Sequence, residues 1–409
     1  MEKHEISQFW YKIKPRVIAS PSVSSAIDEI RNIPTSPEVV EHMARKSFGY
    51  AVLIHNISGP QAHILKETML SLDGDAAVHR MLIKERIDAT KVVVLGTKRQ
   101  LDALGKKMHG QPFAMNLIAE CIRIAISNFN KDSYEIKMGN NKKILAHKPL
   151  IMGVLNVTED SFSDGGKFIN PDNAYAHAVR MIEEGADMID IGGESSRPGA
   201  QPISAETEIR NVLPVIEKIR ANSDIPISID TLKPAVAQKA IEAGADIIND
   251  ITGARNHELV MVAAAKKAGY IAMHMQGNPQ TMQKNPEYEN VVSEIFDNLS
   301  EASKTLEDAG VEPEGIILDV GFGFGKTVEH NLALLKYHSQ FKSLGKPMLA
   351  GISRKSMFQS VTGANVDDRV IETISAHYHC LSQGARILRV HDVKEAQKSI
   401  KVFHAIENA

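Results

Sequence analysis

From Pro149 to the C-terminus, short apolar runs alternate with segments of helical period. The first run, Pro149–Leu155, is too short for a helix and lies between turn formers, which predicts a buried strand. A helix over about 171–184 follows. The pair then recurs. Strands are predicted at Asp187–Ile191, Ile225–Ile229, Asp246–Ile248, Tyr270–Met273, Gly315–Leu318, Pro347–Ala350 and Ala385–Val390. Helices are predicted over about 205–220, 234–243, 257–268, 288–309, 328–344, 367–383 and 393–406. EEGADMIDIG, EAGADIINDI and SQGARILRVH repeat one unit: a helix end, a Gly cap and a strand. Eight such units in about 260 residues predict an α/β fold, a (β/α)8 TIM barrel. A doubly wound open sheet is the alternative; the count of eight and the lack of a G-x-G-x-x-G turn weigh against it.

Upstream, residues 1–130 read as a separate small α/β N-terminal domain, with the barrel domain over 131–409. Ala51–Ile54 and Val92–Leu95 are its predicted strands, and Gln61–Leu72 and Met115–Phe129 its helices. Its polar candidates, His55, Asn56, Asp73, Asp75, His79 and Arg80, read as loop and cap residues more readily than as a site. Tyr134–Met138 and Lys143–Leu145 flank Gly139-Asn140-Asn141, a hairpin pattern. That hairpin is expected to plug the bottom of the barrel.

Composition narrows the class. The 409 residues are 43% hydrophobic and 24% charged, enough to bury a core. The net charge is −3 with both signs interspersed, so nucleic acid is not an expected partner. The two cysteines, Cys121 and Cys380, exclude a disulfide framework and a cysteine metal site. The N-terminal MEKHEISQFWYKIK lacks the apolar core of a signal peptide, and no apolar run is long enough for a membrane. A cytoplasmic protein with no membrane partner is expected.

In a barrel of this kind chemistry sits at the carboxyl ends of the strands. Those ends are Asn156, Gly192-Gly193-Glu194, Asp230, Asn249-Asp250, His274, Asp319, Ser353-Arg354-Lys355 and Arg389-Val390-His391. Any one of them has a plain explanation; Asp230 or Asp250 alone reads as a helix cap. All eight together do not. Asp230, Asn249, Asp319 and Lys355 offer two carboxylates, an amide and an ammonium, which suit the edge of an aminopyrimidine. Asn156, Arg389 and His391, with Arg197 nearby, suit a diphosphate bridged by Mg²⁺. DVGFGFGKT, 319–327, is not a nucleotide loop, because Val320 stands where a P-loop needs its first Gly. It presents Phe322 and Phe324 instead; Phe322 is expected to pack beneath the loop and Phe324 to suit stacking on a flat ligand. His274, among methionines, reads as a wall residue first and a catalytic group second. Glu159, Asp160 and Asp164 lack the spacing of a calcium loop.

These blocks resemble dihydropteroate synthases, pterin-binding TIM-barrel enzymes. GVLNVTEDSFSDGG, DIGGESSRPGA, ISIDTLKP, IINDI, MHMQGNPQTM, LDVGFGFGKT, GISRKSM and RVHDV carry the resemblance, in order, from about Tyr134 onward. It implies a transferase that condenses 6-hydroxymethyl-7,8-dihydropterin diphosphate with p-aminobenzoate in folate biosynthesis, releasing diphosphate. It implies pterin contacts from Asp230, Asn249, Asp319 and Lys355, with Met273 and Gly351 as walls. It implies diphosphate contacts from Asn156, Arg389 and His391, with Mg²⁺ on Asn156. It implies p-aminobenzoate contacts from Phe162, Ser196, Arg197, Pro198 and Phe324. Asp164, Arg197 and Lys355 become the catalytic candidates, Ser161–Gly166 a lid, and a homodimer the expected assembly.

The sequence departs from the family pattern where Glu159 and Val320 replace Pro and Ser196 replaces Thr. Ser196 keeps the hydroxyl; the other two are expected to loosen loops one and six. Residues 1–130 do not resemble the pterin kinase fused to some synthases, although a similar extension occurs in a longer subset. Two rivals remain at this point. A corrinoid-linked pterin methyltransferase would share the Asp and Asn contacts but not need the cations of SRK and RVHD. A non-catalytic pterin-binding protein would not need Asn156, Arg197 and Arg389 together.

Overall fold

The computed structural model describes residues 48–408 except 83–85, 87, 159–169 and 195–200, together with Ile27, Val40, Met43 and Lys46; the side chain of Asp367 is also excluded. The chain divides into two compact units, Met1–Ile126 and Ser127–Ala409.

The first unit holds a three-stranded antiparallel sheet and helices. In order they are β1 (Gly49–Ile57), α1 (Gly59–Leu70), β2 (Asp75–Ala77), β3 (Thr90–Thr97) and α2 (Lys98–Met108), then α3 (Met115–Phe129), which runs past the unit's end. The strands lie in the order β1-β3-β2. The core is apolar: Leu65 and Met69 of α1, Val92 and Val94 of β3, Leu104 and Met108 of α2, and Met115 and Ile122 of α3. Helix α2 was not predicted. Its sequence KRQLDALGKKM is polar on average, yet Leu101, Leu104 and Met108 fall at helical spacing and are buried. The residue that starts it is legible in hindsight: the Thr97 backbone N–H donates to Gln100 Oε1 at 2.7 Å, a capping-box contact.

The second unit opens with a hairpin, β4 (Tyr134–Lys137) and β5 (Lys143–Ala146), paired antiparallel. Asn140 and Asn141 both adopt positive φ, 60° and 55°, the conformation that a tight hairpin turn requires and Asn tolerates. The strands of the barrel follow: β6 (Leu150–Asn156), β7 (Met188–Gly192), β8 (Ile227–Asp230), β9 (Ile247–Asp250), β10 (Gly269–Met273), β11 (Ile316–Asp319), β12 (Met348–Ala350) and β13 (Ile387–Val390). All are parallel. Closure comes from β13 on β6, with Ile387 opposite Leu150 and Val390 opposite Gly153. Around them lie α4 (Pro171–Glu183), α5 (Ala205–Asn222), α6 (Pro234–Glu242), α7 (His257–Lys266), α8 (Val291–Asp308), α9 (Val328–Lys336), α10 (Met357–Thr362), α11 (Val370–Ser382) and α12 (Val393–Glu407). This is the predicted (β/α)8 barrel. Every residue of β7 and β10 is buried, as a strand covered on both faces requires.

Two elements differ from expectation. The helix predicted over 328–344 ends at Lys336 and resumes as a 3-10 turn, His338–Leu344, that buries His338 and Phe341. The short α10 was not foreseen, since six residues are too few to display a period.

The hairpin does plug the barrel floor. Tyr134, Ile136, Met138 and Ala146 pack against Leu150, Met152, Met188, Ile247, Ile271, Ile317, Leu349 and Ile387 from the strands. Its turn is fastened by Gly139, whose N–H donates to the Asp246 carbonyl at 2.9 Å, and by Asn140 Nδ2, which donates to Asp246 Oδ1 at 3.0 Å. The other end of the cylinder is left to polar groups.

Candidate active site

The register of the sheet aligns the first polar layer. Asn156 stands opposite Gly192, Gly192 opposite Asp230, and Asp230 opposite Asn249. Gly192 has no side chain between its neighbours; a Cβ there would meet Asp230 at 3.7 Å and Asn156 Oδ1 at 3.8 Å. Asp319 joins from β11 and is 4% exposed. The Gly321 N–H donates to its Oδ1 at 2.8 Å, while a Cβ on Gly351 would sit 3.4 Å from its Oδ2. Lys355 follows β12 and places Nζ 4.3 Å above the Phe324 ring, a cation–π contact.

Arg389 of β13 ties the layer together. Its Nε donates to Asp190 Oδ2 at 2.6 Å and its Nη2 to Asp230 Oδ2 at 2.8 Å. Asn249 Nδ2 donates to the same Asp190 oxygen at 3.1 Å. Asp190 was missed in the sequence because it lies inside β7 and not at its end. The available signal was a lone carboxylate in the apolar run MIDIG: a buried charge requires a partner. Its other oxygen, Oδ1, is buried and has no hydrogen-bond partner among the described residues.

Crowding of charge shifts the acids and bases. Burial pushes the Asp230 carboxyl up to about 7; Arg389 opposes this and Asp190 reinforces it. Burial also raises Asp319, against the Gly321 N–H and Lys355. Burial lowers Lys355 to about 8, with Arg389 adding to the effect and Asp319 opposing it. Burial disfavours the Arg389 cation too, but the carboxylates of Asp190 and Asp230 prevail and its charge is held well above the usual range.

His391 is brought close by Ser353, whose Oγ accepts the His391 backbone N–H at 3.2 Å and lies 3.0 Å from its Nδ1. Burial, then Arg389 and Arg354, lower this imidazole to about 4, so it is neutral near pH 7. Arg354 itself turns to Asp392 with a two-point contact at 2.9 and 2.5 Å. Asp250 also faces away from the mouth. Its oxygens accept from Thr252, Ala254 and the Tyr270 hydroxyl, the capping role its position allows. His274 is buried, with Nδ1 3.0 Å from Lys326 Nζ. Phe322 is fully buried and stacks on His338 at 6.1 Å, as expected. Val320 is fully buried in the apolar core, so its replacement of Pro falls at a packed position. Glu159, Asp160, Phe162 and Asp164, and Ser196, Arg197 and Pro198, lie outside the described residues. Among the described residues no cluster of three or more His, Cys, Asp or Glu could hold a metal ion, and no helix is long and apolar enough to cross a membrane.

The profile of the pterin binding enzyme family matches residues 152–391, from within β6 to just past β13. A dihydropteroate synthase from Haemophilus influenzae is 44% identical over 270 residues, covering 66% of this chain and 98% of the relative. The chain belongs to the dihydropteroate synthase family. A probable bifunctional folylpolyglutamate synthase/dihydropteroate synthase of Haloferax volcanii is 38% identical over 352 residues, 84% of this chain and 41% of that protein. That stretch is longer than the barrel unit, so the likeness to this family member reaches into the first unit. Among solved structures, the Yersinia pestis dihydropteroate synthase in complex with a sulfonamide drug superposes with a TM-score of 0.64 at 38% identity, covering 67% of this chain and all of that one. The Burkholderia cenocepacia dihydropteroate synthase complexed with 7,8-dihydropteroate gives 0.62 at 40%, covering 67% and 97%. The corrinoid methyltransferase reading loses its ground here, since the relatives quoted at this level of identity are synthases.

Proposed function

We propose that the barrel joins 6-hydroxymethyl-7,8-dihydropterin diphosphate to p-aminobenzoate, releasing diphosphate, as a transferase of folate biosynthesis. The observation that carries this reading is the layer of Asp230, Asn249, Asp319 and Lys355 around one mouth, bridged by Arg389. A pterin has amino and ring N–H donors along one edge and acceptors along another. Asp230 and Asp319 accept from the first; Asn249 and Lys355 serve the second. Met273 and Gly351 form the walls. A pterin amino group taking Asp230 competes with Arg389 Nη2 for the same oxygen, while Asp190 keeps Nε in place. The displaced half of the guanidinium is then available to the diphosphate.

The reaction breaks the bond from the pterin methylene carbon to the diphosphate oxygen, and the electron pair leaves with diphosphate. The arylamine lone pair forms the new carbon–nitrogen bond, and one proton departs from nitrogen to solvent. The electron-rich pterin carries positive charge on the methylene carbon, and Asp164 is assigned to stabilise it. The chain's tasks are positioning and charge neutralisation. Arg389 and Asn156 hold the diphosphate. With the Ser353 hydroxyl donating to His391 Nδ1, Nε2 carries the proton and donates to a phosphate oxygen. Phe162, Ser196, Arg197, Pro198 and Phe324 hold p-aminobenzoate.

Mg²⁺ takes oxygen ligands and commonly combines one or two protein oxygens with substrate phosphates. Asn156 offers one amide oxygen at the edge of the layer, a donor set that fits an ion held mainly by the diphosphate. When bound, Mg²⁺ would neutralise charge on the leaving group. A homodimer belongs to the same proposal, with its contact face along α11 and α12.

Purified protein supplied with dihydropterin diphosphate, p-aminobenzoate and Mg²⁺ is expected to form dihydropteroate with equimolar diphosphate. No product above background would overturn the assignment.

A further inference from the structure

Loop six, 319–327, lies backbone to backbone on the segment that follows β10. Gly321, Gly323 and Gly325 all have positive φ, 68°, 79° and 63°. A Cβ on Gly321 would stand 2.0 Å from the His274 carbonyl oxygen, and one on Gly325 2.7 Å from that of Gln276. Glycine is required for this approach. The carbonyls of the loop are then claimed one by one. Gln283 Nε2 donates to Gly323 at 2.5 Å, Lys326 Nζ to Phe324 at 3.0 Å, and the Tyr288 hydroxyl to Gly325 at 2.8 Å.

Lys326 is the unusual donor. It is 3% exposed, yet among the described residues no carboxylate accepts a hydrogen bond from it. Its Nζ lies 3.0 Å from His274 Nδ1 and 3.3 Å from the His274 carbonyl oxygen, besides the bond to Phe324. One ammonium thus joins the end of β10 to the carbonyl of the residue whose ring lies under Lys355. The ring is packed from below by Met273, Met275 and Met282. An apolar or solvated side chain at position 326 would leave two carbonyls and an imidazole without their buried donor, a costly loss.

We propose that Lys326 is a positioning residue, an internal strut that sets the Phe324 ring and through it aims the Lys355 ammonium at the pterin. The proposal rests on the reading of Lys355 as a pterin contact. Lys326 touches no substrate itself. For the strut to hold, His274 must accept at Nδ1 and carry its proton on Nε2. Burial, with Lys326 and Arg255 adding to it, lowers His274 to about 3, so the ring stays neutral under ordinary conditions. Burial lowers Lys326 to about 7 against the pull of Asp319; as an ammonium its three N–H groups match the three acceptors, the two carbonyls and His274 Nδ1.

Two measurements on the full chain test this. Nitrogen-15 spectra of the wild-type protein labelled at histidine are expected to show His274 with Nδ1 unprotonated, Nε2 protonated and no titration from about pH 5 to about pH 8. A proton on Nδ1, or titration near the ordinary histidine value, would overturn the strut without any variant having to fold. In Lys326→Met, KM for the dihydropterin diphosphate is expected to rise about tenfold with kcat changed less than about threefold. An unchanged KM, with any loss confined to the fraction of folded protein, would make Lys326 a merely structural lysine. Wild-type protein that forms no dihydropteroate would sink the functional reading, and the spectra would still judge the contact.

Discussion

Asp190 and Asp230 divide one guanidinium between them, and the two carboxylates are not equivalent. Asp190 is fully buried and meets both Arg389 and Asn249; Asp230 stands nearer the opening. Removing the charge of Asp190 takes away the fixed end of the arrangement. Asp190→Asn is expected to lower kcat/KM by roughly tenfold to a hundredfold, about 1–3 kcal/mol, while the protein still folds. Steady-state kinetics by diphosphate release, with thermal unfolding alongside, checks this; a variant as active as wild type would show that Arg389 needs no anchor. At this scale the sequence disclosed every member of the layer but Asp190. Asp230, Asn249, Asp319 and Lys355 were legible because they break an apolar run where a barrel strand stops. Asp190 was not, because side chains that point into the mouth from within a strand carry no positional mark. Asp250 shows the opposite error of the rule: a polar strand end that turns away to cap its own loop.

Between elements, packing encloses two histidines: His338 of the 3-10 turn after α9, against Phe322 and Phe341, and His377 of α11. Both are fully buried, and neither ring nitrogen of either has a hydrogen-bond partner among the described residues. Burial lowers each to about 4; for His338 the nearby His379 adds to this, and for His377 Asp392 opposes it. Their folded values lie below the unfolded one, so the native state binds fewer protons. The stability they permit is therefore complete above about pH 6.5 and is lost as pH falls toward about 4, at most roughly 3 kcal/mol for each. Urea unfolding at a series of pH values should show a steeper acid loss for wild type than for the double variant His338→Phe, His377→Leu. Parallel slopes would remove the histidines from the account. The strands of the barrel were legible as short apolar runs between glycines and helices. The break in the helix at Tyr337 was not, because His338 and Phe341 continue an apolar pattern that packing on Phe322 converts to a tighter turn.

For the whole molecule, eight strands were countable in the sequence, and eight is the number at which a parallel sheet of this tilt closes on itself. Assembly is another matter. On the barrel's side, Ile371 of α11 is 78% exposed, and Val402 and Ile406 of α12 are 55% and 54% exposed. Between the two helices runs an apolar groove of about 650 Å³ lined by Ile374, Tyr378, Lys398 and Val402. Apolar surface gathered in one place is the usual mark of a contact. Sedimentation velocity is expected to find a dimer for wild type and a monomer for Ile371→Glu. A wild-type monomer at micromolar concentration would withdraw the homodimer.

The hairpin at the barrel floor has a consequence for traffic. Among the described residues, a cylinder stoppered by Tyr134, Ile136 and Met138 is a cup whose one door is at the strand ends. Whatever rests against Asp230 and Asn249 entered past the strand ends and must leave by the same route. Two reactants that share one door cannot arrive in either order with equal ease. Ordered binding, with the deeper reactant first, is the expected consequence, and initial-rate kinetics with the two substrates varied together check it.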